Sequence, residues 1–192
     1  MDLKTNLNAI FLNEHSIQKY KDKNHQSLYL LKYKKDNQEF KYYNVPSVMQ
    51  CRGIILEEYS NKIICYSLDK FEKKLEKIDI TKCKVEEAID GTQIRLYYYN
   101  NEWMVATTRT INAKNSKWNY IKTFYDLFKD VESFIDYSKL NKLNTYTFIM
   151  KHIENKIISN VSKNELIHIH TRNNETLLEV DEDIGVPKPK EF

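Results

Sequence analysis

At 192 residues and 41% hydrophobic, the chain is long enough for one well-buried core and short for two, so a single domain spanning residues 1–192 is expected. Aromatic content of 12%, mostly from tyrosine, with 30% charged residues, excludes a disordered chain. A formal net charge of +3 does not by itself mark a nucleic-acid binder, and no window approaches the roughly 18 consecutive apolar residues of a membrane span.

In chain order, LKTNLNAIFLNEHSI carries Leu3, Leu7, Ile10 and Phe11 at helical spacing and predicts a short helix. Strand-like runs follow. SLYLLKYKK and EFKYYNV flank DNQ as one hairpin, RGIILEE and KIICYSL flank YSN as a second, and IRLYYY and EWMVATT flank Asn100-Asn101 as a third. The Asn-Asn pair tolerates the positive backbone angles of tight hairpins. KWNYIKTFYDLFKDVESFIDYSKL then shows the i, i+3, i+4, i+7 rhythm of one or two amphipathic helices, carried by Trp118, Ile121, Phe124, Tyr125, Phe128, Val131, Phe134 and Ile135. The last third, TYTFIMKHI, KIISNVS, ELIHIHTR and TLLEV, returns to strands, and the prolines of VPKPKEF predict that ordered structure stops before Val186. The fold class is α+β, mostly antiparallel sheets with flanking helices.

Residues with chemistry are few. Cys51, Cys65 and Cys83 are odd in number and lack metal-ligand spacing, so reduced thiols are expected, most of them buried. His168 and His170 alternate on a strand and so share one face, which suits a metal pair; with no third ligand, an ordinary polar face is preferred. KFEKKLEKID reads as a solvated face rather than a basic patch, because glutamates interleave its lysines. Tyr97 to Tyr99 read as core packing, with stacking of an outward tyrosine on a base as the alternative. GxxxxGK[ST], GxGxxG and GxSxG patterns are absent. The chain keeps only Gly53, Gly91 and Gly185, which implies positions where a side chain is sterically intolerable.

Taken together, CRGIILEE, LDKFEKKLE, AIDGTQIRLYYYNNEWMVATTRTI, YTFIMKHIENKII and ELIHIHTRNNETLLEV resemble, in order and spacing, the adenylyltransferase domain of the phage-type RNA ligase 1 family. The resemblance covers nearly the whole chain. It implies a nucleotidyltransferase (ATP-grasp-like ligase) adenylation domain in reduced form. In that family the lysine of K-x-D-G attacks the α-phosphate of ATP, AMP passes from the lysine to an RNA 5′-phosphate, and a 3′-hydroxyl displaces it. Here the motif reads Ala88-Ile89-Asp90-Gly91, so the amine nucleophile is missing. The family's F-E-x-x-x-P pattern falls on Phe148, Ile149 and Ile153, and its downstream E-G-x-V and K-x-K strands have no counterpart. Natural loss of activity accounts for all of these departures; a single engineered alanine accounts for one.

The resemblance carries over Arg52 and Gly53, Lys70 and Phe71, Asp90 and Gly91, and Arg109 as positions facing nucleotide or RNA phosphate. Arg52, Lys70 and Arg109 together suit an anion pocket; the competing reading is a leftover Arg52–Asp90 ion pair. No cofactor follows from the residues, and the resemblance implies ATP or AMP with magnesium. The expected function is a catalytically inactive RNA-ligase-like binder of RNA or nucleotide, or of a protein partner. A viral or mobile-element antagonist of a nucleic-acid-directed host defence fits that reading, with a cytoplasmic location. The alternatives are a ligase domain carrying a lysine-to-alanine change and a protein-interaction module with a filled cleft.

Overall fold

A computed structural model of the chain describes residues 17–33, 48, 50–66, 68–69, 79–155 and 160–192. The N-terminal helix and the EFKYYNV strand predicted from sequence lie outside the described residues, as do Lys70 and Phe71.

Among the described residues the chain builds two four-stranded sheets, antiparallel throughout. The first has the order β1 (Ile17–Asp22), β2 (His25–Tyr33), β3 (Arg52–Glu57), β4 (Ile63–Cys65). The second uses β5 (Thr92–Tyr99), β6 (Glu102–Thr107), β7 (Asn144–Lys151) and β8 (Glu165–Asn173) in the order β6-β5-β7-β8. The β5–β6 hairpin turns at Asn100 and Asn101, with φ of 48° and 63°, the left-handed geometry that asparagine tolerates. The β3–β4 hairpin is also formed, turning through Tyr59 and Asn61 at positive φ.

Among the described residues, strand alternation sorts side chains into three apolar clusters. Leu28, Leu30, Ile55, Ile64 and Cys65 of the first sheet meet Tyr97, Met104 and Ala106 of the second, so the sheets are packed face to face. The opposite face of the second sheet, with Leu96, Tyr146, Phe148 and Leu166, is covered by Leu127, Phe128 and Val131. Tyr29, Leu31, Ile54 and Leu56 pack with Val48 on the far side of the first sheet. Polar latches also join the sheets: Tyr66 N–H donates to Thr145 Oγ1 (3.1 Å) and Asn174 Nδ2 to the Ile64 carbonyl (2.9 Å).

The helical segment is much shorter than its apolar rhythm predicts. Within residues 118–139 only α1 (Phe124–Lys129) is α-helical; it starts at a capping box between Thr123 and Asp126 and is followed by 3₁₀ turns at Glu132–Phe134 and Tyr137–Lys139. Upstream, the Asn119 side chain accepts the backbone N–H groups of Ile121 and Lys122 and closes a tight loop in place of a helical turn. Asp136 likewise diverts the chain by accepting from Ser138 N–H. TLLEV forms only an isolated bridge, Arg172 to Glu179, with Leu177 at positive φ.

The C-terminal segment is ordered beyond Val186, contrary to expectation. Val186 is buried in the cluster beneath α1, the Pro187 carbonyl accepts from His168 N–H (2.8 Å), and Lys190–Phe192 exchange backbone bonds with Val85–Glu87. Proline lacks a donor but keeps its acceptor, so this segment pairs without becoming a regular strand. Among the described residues, no helix is long and apolar enough to cross a membrane.

Candidate functional site

The segment carrying Ala88-Ile89-Asp90-Gly91 is fixed at both ends. On its N-terminal side, Glu87 N–H donates to the Lys190 carbonyl (2.8 Å) and Phe192 N–H to the Val85 carbonyl (3.0 Å). On its C-terminal side, Gly91 crosses β7 so closely that a Cβ there would lie 2.5 Å from Ile149 Cγ2 and 2.7 Å from the Met150 carbonyl oxygen. Close approach therefore explains this glycine.

Between these anchors, Glu87, Ala88, Ile89 and Asp90 line a pocket of about 170 Å³, closed by Lys151, Lys163 and Glu165 with residues 160–162. Lys163 Nζ lies 2.9 Å from Glu165 Oε1 and Lys151 Nζ 3.3 Å from Oε2. The Lys163 hydrogen bond is the main cause holding the Glu165 carboxyl below its usual range. The pocket thus holds a methyl group at position 88 and two amines committed to a shared carboxylate. Ile149 packs against Gly91 and offers neither carboxylate nor metal ligand. Ile153 is half exposed, its N–H donating to Asn164 Oδ1 (3.0 Å).

A second polar group joins the start of β3 and the segment after β4 to β8. Arg52, at the start of β3, donates to the Asp69 carbonyl (3.2 Å). Asp69 accepts from Tyr66 Oη (2.6 Å) and lies 3.6 Å from Arg172, whose guanidinium sits 4.2 Å over the Tyr66 ring. Glu179 lies 3.4 Å from Arg172 and 3.2 Å from His170 Nε2. Burial is the main cause pushing His170 below the usual imidazole value, with the nearby Arg172 charge acting the same way and Glu179 opposing.

Gly53, at φ +90°, brings β3 against the Thr108 carbonyl, and its own carbonyl accepts from Arg95. Arg95 is fully buried on β5 and also donates to the Thr107 carbonyl, so one guanidinium clips the two sheets together. Arg95 and Arg172 were missed as site residues by the sequence reading. The available signal was a cation within an otherwise apolar alternating strand, which reads as a surface position until the second sheet is placed.

Arg109 lies elsewhere. It lines a depression of about 420 Å³ with Lys21, Asp22, Lys23 and Asn24 of the β1–β2 turn, whereas Asp90 belongs to the Ala88 pocket.

The two histidines do not share a face. A β-bulge at Ile169 pairs His168 with Phe148 and His170 with Thr147, which are consecutive on β7 and so point to opposite sides. His168 packs on the Tyr146 and Phe148 rings and contacts Thr171 Oγ1 (2.8 Å), whereas His170 joins the Arg172–Glu179 group. Among the described residues, no group of three or more His, Cys, Asp or Glu side chains could hold a metal ion. Cys51 and Cys65 are buried and Cys83 is exposed, and the three form no disulfide with one another. Of the tyrosine run, Tyr97 is buried with its hydroxyl donating to the Ile111 carbonyl (2.8 Å), and Tyr98 stacks edge-on against Trp103.

Fold and site define an α+β chain of two facing antiparallel sheets with a lysine- and carboxylate-lined pocket before the first strand of the second sheet. No family model matches it. It is 26% identical to the "Immediate-early protein ICP-46 homolog" of Invertebrate iridescent virus 3, over 54% of this chain and 28% of that protein. It is 35% identical to the protein of the same description from Invertebrate iridescent virus 6, over 34% and 18% of the two chains. To the "Putative bifunctional polynucleotide kinase/RNA ligase" of Autographa californica nuclear polyhedrosis virus it is 32% identical, over 36% and 12%. The chain therefore spans less than a third of each relative, and its similarity to a viral RNA ligase is distant and partial.

Proposed function

We propose that this chain is an RNA-ligase-like protein of viral type whose adenylation position is chemically silent, and that it works by binding RNA or a nucleotide. Ala88 carries the proposal. Lysyl-adenylate formation needs an amine lone pair to attack the α-phosphate, forming a P–N bond as pyrophosphate leaves, and a methyl group has none. Lys151 and Lys163 are drawn to Glu165. The residues present do not fit a magnesium-dependent transfer, since Ile149 stands where the family that the chain resembles has a carboxylate. The partial similarity to a viral RNA ligase supports RNA as the partner class. The two-sheet α+β architecture is compatible with a reduced nucleotidyltransferase adenylation domain spanning 1–192, and the viral relatives fit a chain of viral type; action in a host cell against a nucleic-acid-directed defence is part of the proposal.

The test uses α-labelled ATP with magnesium, followed by denaturing electrophoresis. No covalent label is expected on the wild-type chain; label on it overturns the silent-site proposal. Label on Ala88→Lys alone would show that the nucleotide pocket survives. Binding is read separately by thermal shift. A ligand at about 100 times its Kd stabilises the folded state by about 2.7 kcal/mol, or roughly 5–10 °C for a chain of this size. No shift with ATP, AMP or single-stranded RNA refutes the binding role.

A further inference from the structure

The segment from Arg109 to Tyr125 contains Arg109, Lys114, Lys117 and Lys122 and no carboxylate. Its centre is a small hairpin closed by the Lys117–Thr123 bridge, by Trp118 N–H donating to the Lys122 carbonyl (3.0 Å), and by the Asn119 side chain accepting from Ile121 and Lys122. Trp118 anchors the loop: its indole N–H donates to the Glu154 carbonyl (2.9 Å) and its ring meets Phe124 edge-on. The tip presents Tyr120 at 100% and Ile121 at 90% exposure. Single exposed apolar residues are ordinary. Two adjacent ones at the end of a pinned loop, with an aromatic face and flanking lysines, form a stacking platform whose ordering cost is already met by the fold.

The basic surface continues away from the tip. Asn115 donates to Asp22 Oδ2, joining this segment to the β1–β2 turn, and the 420 Å³ depression between them is lined by Lys21, Lys23 and Arg109. Tyr120 is five positions beyond Asn115, a reach of at most about 18 Å. Carboxylates temper the charge: Glu58 pairs with Lys21, Glu154 with Lys122, Asp126 and Asp130 act on Lys122 from nearby, and Asp22 lies beside His25. Lys117 is exposed, and Lys114 lies 4.6 Å over the Tyr125 ring.

We infer that the Lys117–Lys122 loop and the adjoining Arg109 depression form a docking surface for single-stranded RNA, in which Tyr120 stacks on a base and Lys117 and Arg109 contact phosphates. This rests on RNA being the partner class of the proposed function, but not on the Ala88 pocket. Charge complementarity and the free aromatic face favour RNA over a protein partner.

Fluorescence anisotropy with a labelled single-stranded oligouridylate, at several salt concentrations, tests it. Tyr120→Ala should weaken binding by about 5- to 100-fold, while Tyr120→Phe stays within about twofold, because stacking needs the ring and not the hydroxyl. Lys117→Ala should lower the slope of log affinity against log salt by about 0.7, the loss of one single-strand phosphate contact. Both side chains are exposed, so melting temperatures should not move. Failure of the wild-type chain to bind overturns this inference together with the RNA reading. Wild-type binding that survives Tyr120→Ala removes the loop and leaves the RNA reading standing. If the chain self-associates and Tyr120→Ala makes it monomeric, the occupant is a second copy and the inference fails.

Discussion

Gly53 belongs to an Arg-Gly pair that resembles a nucleotide-site motif, yet the fold alone accounts for it, and Gly53→Ala tests that account. Its φ of +90° is disfavoured for an L side chain by about 1–2 kcal/mol. The new Cβ would lie 2.5 Å from the Thr108 carbonyl oxygen, and moving a backbone group to relieve such overpacking costs about 1–3 kcal/mol. The sum is about 2–5 kcal/mol, which for this size predicts a fall in melting temperature of roughly 5–20 °C. Gly185→Ala is the internal control. It also has positive φ, +78°, but its Cβ would meet only the flexible end of Lys139, so it should show the backbone cost alone. Circular-dichroism melts of both variants give the comparison. If Gly53→Ala melts within about 2 °C of wild type, or no lower than Gly185→Ala, the close approach of β3 to Thr108 is not what fixes this glycine.

Stability should also depend on pH through His168, which burial, with a smaller contribution from Lys188 and against the pull of Asp181, holds at about 4. Because the folded value lies below the unfolded value of about 6.5, the unfolded chain takes up the proton first. His168 should therefore cost nothing above about pH 6.5 and about 3 kcal/mol by about pH 4. The difference in urea midpoint between wild type and His168→Phe should change across that window; a constant difference refutes the assignment. With a thiol reagent under native conditions, Cys83 should react and Cys51 and Cys65 should not until the chain unfolds, since both are buried and burial pushes Cys51 to about 12 and raises Cys65. Rapid native labelling of Cys51→Ser at more than one position would contradict the packing of β4.

What was legible in the sequence was local. Asn100-Asn101 carries its own turn chemistry, and runs such as RGIILEE bury on both faces, so the β3–β4 and β5–β6 hairpins follow from short-range pattern. β1 was not legible because half of its side chains are exposed and only Ile17 is buried; with Lys19 and Lys21 it reads as polar chain, as expected for an edge strand. The helical rhythm of 118–135 misled because Ile121, which it assigned to the apolar face, sits at an exposed loop tip dictated by Asn119. The histidine pair misled because strict alternation fails at Ile169, and nothing local announces that bulge. Arg95 was overlooked because its partners are backbone carbonyls of Gly53 and Thr107, positions 42 and 12 residues away that carry no side-chain signature.

These assignments change which residues speak to function. Gly53 and Gly91 sit where any Cβ would strike neighbouring backbone, so selection on the fold would keep them even after all ligand binding was lost. Their survival is therefore no argument for a working nucleotide site. The informative positions are those the fold does not require. Ala88 lines a pocket where a longer side chain would replace empty volume, and Lys117 and Tyr120 project from a loop whose closure depends on Asn119 and Trp118 instead. Substitutions at these positions change chemistry without changing packing. A reading of this chain as a binder stands on them, and a loss of binding at Gly53 or Gly91 variants would report only a damaged scaffold.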